Sequence, residues 1–130
     1  MILVDTSAWI EFLRGNDSAT ADEVDRLLAH EIAICGAVSM EVLAGARDDV
    51  HLRSLRGLLA RTTRLPTFAS DYDDATALSR RCRRFGVTVR RMIDCLIGAV
   101  AIRAGVPVLH ADADFDHLAE ATDLRTHPVP

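Results

Sequence analysis

Four acidic residues adjoin the predicted strands of this chain in a pattern that favours metal chemistry. Asp5 and Asp112 each follow a predicted buried strand, and Glu41 and Asp94 each lie at the start of a predicted helix. Because the carboxyl ends of parallel strands meet at one edge of a sheet, we expect these side chains to lie close together. Like charges ~4 Å apart repel by about 4 kcal/mol at an effective dielectric of 20, so a cation is needed to neutralise them.

A divalent cation of the Mg²⁺ or Mn²⁺ type fits this set of donors. Such ions prefer carboxylate oxygen and water to sulfur or imidazole, and the three cysteines have neither CxxC spacing nor paired histidines. A carboxylate-held ion lowers the pKa of bound water and orients a phosphodiester. The pattern therefore predicts a metal-dependent phosphodiesterase that lacks a dedicated general base.

Each acid also has a purely local interpretation. Asp5 can serve as a cap for the helix that follows it, where Thr6 and Ser7 are also possible caps. Glu41 and Asp94 can be charges that a helix N-terminus favours. These interpretations stay open at the level of single residues.

The hydrophobic pattern predicts a mostly parallel sheet between two layers of helices. Continuous apolar runs indicate strands that are buried on both faces. The predicted strands span 2–4, 32–35, 64–67, 107–110 and 124–126. The predicted helices span 8–14, 18–30 with a Thr20–Glu23 capping box, 40–46, a segment that starts at Asp48 or Asp49, 70–85, 94–102 and 116–121.

Length and composition exclude several classes of protein. The 130 residues suffice for one domain, and no apolar run is long enough to span a bilayer, so we expect a cytoplasmic protein without membrane contact. All 15 basic residues are arginine, which excludes a P-loop site because that site needs a lysine. The net charge of −4 argues only weakly against nucleic acid as a partner.

Four motifs carry a resemblance that covers essentially the whole chain. They are Asp5-Thr-Ser-Ala-Trp-Ile-Glu-Phe-Leu-Arg-Gly15, Met40-Glu-Val-Leu-Ala-Gly45, Thr88-Val-Arg90 with Asp94-Cys-Leu-Ile97, and Asp112-Ala-Asp-Phe115. In this order and spacing, the chain resembles the PIN-domain ribonucleases, and among them the VapC-type toxins of type II toxin–antitoxin modules. The resemblance implies a single PIN domain over residues 1–130 with a three-layer α/β/α fold.

The resemblance also implies a site and partners. It assigns the four acidic positions of the family to Asp5, Glu41, Asp94 and Asp112, with Asp114 as a frequent fifth metal ligand. It implies Mg²⁺, with Mn²⁺ able to substitute, and endonucleolytic cleavage of RNA. It further implies a homodimer and a small inhibitory antitoxin of the VapB type.

The chain departs from the family just before Asp94. Many members carry a serine and often an asparagine in the three preceding positions, where this chain has Arg91-Met-Ile93. The departure supports one alternative, a non-catalytic PIN-like domain with a degenerate metal site that binds RNA or protein. Haloacid-dehalogenase-type phosphatases and receiver domains also place an acid after the first strand, but both families use a lysine, which this chain lacks.

Two further segments suggest binding surfaces. Six arginines occur between positions 80 and 91, and they are either a solvated helix end or a set of phosphate contacts: Arg80, Arg81, Arg83, Arg84, Arg90 and Arg91. The first helix has a wide apolar band formed by Trp9, Ile10, Phe12 and Leu13. Part of that band is expected to lie in an interface with a second copy or with an antitoxin helix.

Overall fold

A four-stranded parallel sheet forms the centre of the protein. The computed structural model describes residues 1–130, with strands β1 (Ile2–Val4), β2 (Ile32–Cys35), β3 (Thr63–Leu65) and β4 (Val108–Leu109). The strand order is β3-β2-β1-β4, and every neighbouring pair is parallel. The chain thus leaves β1 toward one edge of the sheet and later returns to add β4 on the other side of β1. The carboxyl ends of β1 and β4 form the point at which the winding reverses.

Seven helices surround this sheet. They are α1 (Thr6–Leu13), α2 (Ala19–Leu27), α3 (Gly36–Ala44), α4 (Asp49–Leu59), α5 (Ala69–Arg84), α6 (Met92–Ala104) and α7 (Ala113–Ala121). Helix α1 packs on α2 and α3, and α3 packs on α4, while α5, α6 and α7 pack on one another. Right-handed crossovers place these two groups on opposite faces of the sheet, which confirms the predicted three-layer α/β/α class. None of the seven is both long and apolar enough to cross a bilayer.

The core is continuous across both layers. A single cluster of 27 buried apolar residues includes the strands and the inner faces of the helices. Its largest fully buried side chains are Trp9 of α1 and Phe115 of α7, and each follows closely on an acidic residue of interest. The residues that anchor the helix starts therefore also fix the positions of Asp5 and Asp112.

Several predicted boundaries were wrong. Helix α3 begins at Gly36 rather than at residue 40, and α6 begins at Met92 rather than at residue 94. The predicted fifth strand is reduced to one bridge between Val108 and Thr126. Two backbone hydrogen bonds form this bridge, from the Val108 N–H to the Arg125 carbonyl at 3.0 Å and from the His127 N–H to the Val108 carbonyl at 2.8 Å.

The predicted capping box between Thr20 and Glu23 does not form. The hydroxyl of Ser18 caps α2 by accepting from the backbone N–H of Ala21 at 3.1 Å. Glu23 instead connects α2 to the C-terminal segment, because it accepts from Arg26 Nε at 3.0 Å and contacts His127 Nε2 at 2.8 Å. It is only 5% exposed. The hydrogen bonds from Arg26 first, and from His127 second, lower the pKa of Glu23 to about 2.

The Glu23 contact predicts a pH-dependent contribution to stability. Its pKa is lower in the folded chain than the ordinary 4.5, so its stabilising effect is present above pH 4.5 and is lost as the pH falls toward 2. We expect Glu23→Gln to lower the melting temperature at pH 7 by several degrees, with a smaller difference from wild type at pH 3. The control is Glu120→Gln, which changes an exposed acid of α7. Equal melting temperatures for Glu23→Gln and wild type at pH 7 would contradict this.

Candidate metal centre

Asp5 lies in the middle of the sheet edge, directly after the central strand β1. Its backbone N–H donates to the carbonyl of Leu109 at 2.9 Å, which holds the ends of β1 and β4 together. Asp5 itself is the N-cap of α1, so the predicted caps Thr6 and Ser7 were wrong. Its Oδ2 accepts from the Ser7 N–H at 2.9 Å and from Ser7 Oγ at 2.6 Å. Its Oδ1 is buried and has no hydrogen-bond partner.

The hydroxyls after Asp5 connect the elements of the site. Ser7 Oγ accepts from the backbone N–H of Ala111 at 2.9 Å, which ties the start of α1 to the loop after β4. Thr6 Oγ1 donates to Glu41 Oε1 at 2.7 Å. The sequence does contain a signal for these two contacts of Ser7 and Thr6, since two hydroxyls follow an acid at the end of a strand. We had interpreted these hydroxyls only as helix caps.

Glu41 reaches the site from α3. Because α3 begins at Gly36, Glu41 lies in its second turn, where a helix N-terminus no longer explains an acid. Its carboxylate accepts from Thr6 through Oε1 and from Arg91 Nη2 through Oε2, the latter at 3.2 Å. The position of Glu41 is therefore set by tertiary contacts.

Asp94 is fully buried in the first turn of α6. Its Oδ1 accepts from Arg91 Nη2 at 3.1 Å, and its Oδ2 has no partner. Burial is the main cause that raises the pKa of Asp94 to about 6; the charges of Asp5 and Asp112 raise it further, while Arg91 lowers it. Burial likewise raises the pKa of Asp5, against the hydrogen bonds from Ser7. No backbone N–H donates to Asp94, so it does not cap α6, although it lies in the first turn, where a helix N-terminus favours an acid.

Asp112 and Asp114 complete the group at the start of α7. Asp112 is the N-cap of this helix, and its Oδ1 accepts from the Asp114 N–H at 3.0 Å. Carboxylate oxygens of Asp94, Asp112 and Asp114 all lie within 4.8 Å of one another, a spacing that one metal ion can bridge. Asp5 and Glu41 adjoin this trio through Ser7, Thr6 and Arg91 rather than belonging to it. The structure thus brings the predicted acids to one edge of the sheet. Asp114 belongs to the trio whose oxygens lie within 4.8 Å of one another, and Asp5 does not.

Two arginines neutralise part of this charge, and sequence reasoning missed their partners. Arg90 donates through Nη2 to Asp112 Oδ1 at 3.1 Å and through Nε to Asp114 Oδ2 at 3.2 Å. Its backbone N–H also donates to Asp114 Oδ2 at 3.3 Å. The sequence predicts for Arg90 and Arg91 only a solvated helix end or phosphate contacts, and neither prediction includes these acids. The neighbouring acids raise the pKa of both guanidinium groups.

The donor set fits a divalent cation. Two carboxylate oxygens, Asp5 Oδ1 and Asp94 Oδ2, are buried without any partner. An unpartnered buried polar atom is costly, and a hard cation is the partner that carboxylate oxygen favours most. The arginines leave these two atoms unpaired.

Comparison with known proteins identifies the family. The model of the PIN domain family matches residues 2–121. The chain is therefore a member of the PIN-domain family. It is 46% identical over 132 residues to Ribonuclease VapC11 of Mycobacterium tuberculosis, with 96% of each chain covered. VapC ribonuclease Mb1587 of Mycobacterium bovis shows the same identity and coverage. The resemblance to VapC-type members of this PIN-domain family is confirmed.

Solved structures share this PIN fold at low sequence identity. VapBC2 from Rickettsia felis, bound to a DNA fragment from its promoter, superimposes with a TM-score of 0.75 at 17% identity and covers 98% of both chains. FitAB bound to the IR36 DNA fragment gives a TM-score of 0.77 at 19% identity, with 98% of this chain and 94% of the other covered. VapC20 of Mycobacterium tuberculosis, described as a sarcin–ricin loop cleaving toxin, gives 0.69 at 19%, with 96% and 99% covered.

The buried charge of Asp94 predicts an unusual response to substitution. Removing its charge relieves a burial cost in the metal-free PIN domain, so Asp94→Asn should melt a few degrees above wild type in EDTA. The same change should reduce the rise in melting temperature that Mn²⁺ gives by binding the folded chain. Thermal melts of both proteins in EDTA and in Mn²⁺ measure this. Asp73→Asn, an exposed acid of α5, is the control and should leave both values unchanged. An Asp94→Asn variant with the full Mn²⁺ response would contradict the site assignment.

Proposed function

We propose that this PIN domain is the toxin of a type II toxin–antitoxin pair and cleaves RNA as a metal-dependent endoribonuclease. The observation that carries the proposal is the group of buried carboxylates at the β1–β4 reversal, where two oxygens lack any partner. Support also comes from relatives that are named ribonucleases and match the chain over 96% of its length. The folding of 27 core residues into one cluster supports a single PIN domain over residues 1–130.

The proposed site uses the acids in two ways. Asp5, Glu41, Asp94 and Asp112 would be catalytic, and these four with Asp114 would hold the metal. We propose Mg²⁺ as the ion, with Mn²⁺ able to substitute, since both prefer carboxylate oxygen. When bound, such an ion supplies a water of lowered pKa and stabilises charge on phosphate oxygens. The chain's own part is to orient the acids: Ser7 holds one oxygen of Asp5 and Thr6 holds one of Glu41, which leaves the other oxygen of Asp5 free.

The six arginines between 80 and 91 have three different environments. Arg90 and Arg91 contact the acids of the proposed metal site. Arg80, Arg83 and Arg84 are exposed and line one surface depression that contains no other residue type. Arg81 has a structural role, because its Nε donates to the carbonyl of Ala121 at 2.5 Å and its guanidinium lies 5.3 Å from the Phe85 ring centroid. We therefore assign phosphate contacts outside the acidic site to the exposed three. Single-stranded RNA or loops would suit this exposed surface, because their backbone is accessible.

One observation favours the alternative of a non-catalytic domain. The guanidinium of Arg91 contacts both Glu41 and Asp94, where it neutralises acids that a metal would otherwise pair. A domain that used Arg91 permanently in this way would bind RNA or protein without cutting it. The cleavage assay below separates the two functions.

We expect purified protein to cut single-stranded or looped RNA in the presence of Mg²⁺ or Mn²⁺, and not in EDTA. Asp94→Asn should reduce the cleavage rate at least a hundredfold, because it removes a proposed metal ligand. Asp73→Asn serves as a matched control with the same chemical change on the solvated side of α5 and should cut like wild type. Mapping new 5′ ends in cellular RNA after induction would identify the target. Intact RNA under all metal conditions, with a bound metal verified, would favour the non-catalytic alternative.

We propose a groove between α1, α3 and α4 as the site for an antitoxin helix of the VapB type. Ile10 and Leu13 of α1 line it together with Val42 and Leu55, in a cavity of about 220 Å³. Ile10 is 37% and Leu13 is 39% exposed. Trp9 is fully buried and belongs to the core, so the part of the predicted apolar band that reaches the groove is Ile10 and Leu13. Glu41 also lines the groove, which brings a bound helix next to the acids.

The groove predicts that a substitution in its apolar wall weakens antitoxin binding and leaves RNA cleavage intact. Leu13→Glu should lower the affinity for the co-expressed antitoxin at least tenfold, because it places a charge on the apolar wall. Cleavage of RNA by the isolated toxin should remain, since Leu13 is not one of the proposed metal ligands. Val50→Glu is the control because Val50 is 68% exposed on α4 and does not line the groove. Copurification of antitoxin with Leu13→Glu at wild-type affinity would exclude the groove.

We also propose a homodimer that acts in the cytoplasm, where its RNA substrate is. Phe68 and Tyr72 at the start of α5 are 50% and 61% exposed. These side chains belong to a different helix layer from the groove. A second copy could therefore cover them without competing with the antitoxin.

A further inference from the structure

Arg91 occupies the acidic site in a way that Arg90 does not. A single nitrogen, Nη2, donates to Glu41 Oε2 at 3.2 Å and to Asp94 Oδ1 at 3.1 Å. The two acids come from α3 and α6, so this nitrogen bridges two proposed metal ligands from different helices. Arg91 is the N-cap residue of α6, three positions before Asp94, so the bridge lies at the start of the helix that carries this acid.

We propose that Arg91 competes with the divalent cation for Glu41 and Asp94, and that the displaced guanidinium then binds a phosphate of the RNA. The inference rests on the proposed function, because it concerns the same site. It assigns Arg91 as the residue that couples metal loading to RNA binding.

The contacts of Arg91 are of the kind that a metal can displace. Its side chain is 50% exposed, and neither Nε nor Nη1 has a partner in the protein. Its backbone is extended at φ −127° and ψ 128°, just before α6, so the side chain can leave without disturbing the helix. Arg90, in contrast, is fixed to Asp112 and Asp114 by its backbone N–H as well as by Nε and Nη2. Arg90 is 68% exposed and also contacts two proposed ligands, but it makes more contacts with them than Arg91 makes with Glu41 and Asp94. The single bridging nitrogen of Arg91 is therefore the contact that a metal displaces more easily.

The unpaired oxygens show why the arginine is not the final partner of these acids. Arg91 reaches Asp94 Oδ1 but leaves Asp94 Oδ2 buried and unpartnered, and it makes no contact with Asp5 Oδ1. A cation bound by the acids would satisfy oxygens that the planar guanidinium does not reach. Once displaced, Arg91 would still adjoin the acids at which the proposed function places the phosphate that is cut. Guanidinium groups bind phosphate with charge-assisted hydrogen bonds, so the displaced side chain gains a new partner there.

Metal affinity gives the first test. Isothermal titration with Mn²⁺ is done on wild type, Arg91→Ala, Arg91→Gln and Arg53→Ala. Without the competing guanidinium, both Arg91 variants should bind Mn²⁺ about tenfold more tightly, the size expected for loss of one charge-assisted contact. Arg53 is exposed on α4 without a carboxylate partner, so Arg53→Ala controls for the change in net charge and should bind like wild type. Equal Mn²⁺ affinity in wild type and the Arg91 variants would overturn the competition. The Arg91→Gln variant keeps a side chain of similar length if the alanine variant fails to fold.

RNA affinity gives the second test. The salt dependence of binding to a short single-stranded RNA is measured by fluorescence anisotropy in Ca²⁺ and in EDTA, with RNA integrity checked on a gel. In Ca²⁺, Arg91→Ala should lose about one unit of the slope of log K against log salt, because one phosphate contact is removed. In EDTA, where Arg91 is held by the acids, the slopes should agree. An equal loss of slope in both conditions would show that Arg91 contacts phosphate without any coupling to metal.

The two experiments distinguish failure of this inference from failure of the proposed function. If wild type binds no Mn²⁺ and the Arg91 variants bind none either, the metal site itself is wrong. If wild type and the arginine variants bind Mn²⁺ and Asp94→Asn, titrated beside them, does not, the metal site stands. The affinities of the Arg91 variants then decide the role of Arg91 alone.

Discussion

The presence of several carboxylates at one sheet edge is the constraint on which this structure depends. Asp5, Asp94 and Asp114 are each at most 2% exposed, and buried like charges are unfavourable unless they are paired. The protein reduces this cost with backbone N–H groups at Asp5 and Asp112 and with guanidinium groups at Arg90 and Arg91. Two buried carboxylate oxygens still have no hydrogen-bond partner, however. A fold that served stability alone would gain by replacing those acids with apolar residues of similar volume.

The sheet order explains how acids that are distant in sequence become neighbours. Strand β1 lies between β2 and β4, so the helices that start after β1 and after β4 begin side by side at the winding reversal. The hydrogen bond between Ser7 and Ala111 joins residues 104 positions apart and fixes these two helix starts to each other. Helix α6 enters the same edge from the opposite layer, with Asp94 in its first turn. Each acid is therefore positioned by an element whose core residues, such as Trp9 and Phe115, are fully buried.

Much of this arrangement could be predicted from the sequence, because apolar runs and strand ends are local signals. The runs at Ile2–Val4 and Ile32–Cys35 were placed correctly, and the positions of the acids after or beside strands indicated a shared edge. Local signals do not show how deeply a side chain is buried or which distant residues a long side chain contacts. Trp9 belongs to a wide apolar band in which periodicity cannot separate a core side chain from an exposed one. The partners of Arg90 and Arg91 were missed because a long side chain selects its contacts by tertiary geometry, and six neighbouring arginines look alike in sequence.

One acid can both cap a helix and bind a metal, because a carboxylate has two oxygens. Asp5 caps α1 through Oδ2 and keeps Oδ1 unpartnered, so its role in folding leaves one oxygen available for the proposed metal. Asp112 likewise caps α7 while it belongs to the group of acids that one ion can bridge. Asp94 differs from both, because it caps nothing, is the most completely buried of the three, and has its pKa raised to about 6 mainly by that burial. At Asp94 the compensation comes from Arg91 and from its place in the first turn of α6, and one buried oxygen still has no partner; the proposed cation would supply that partner.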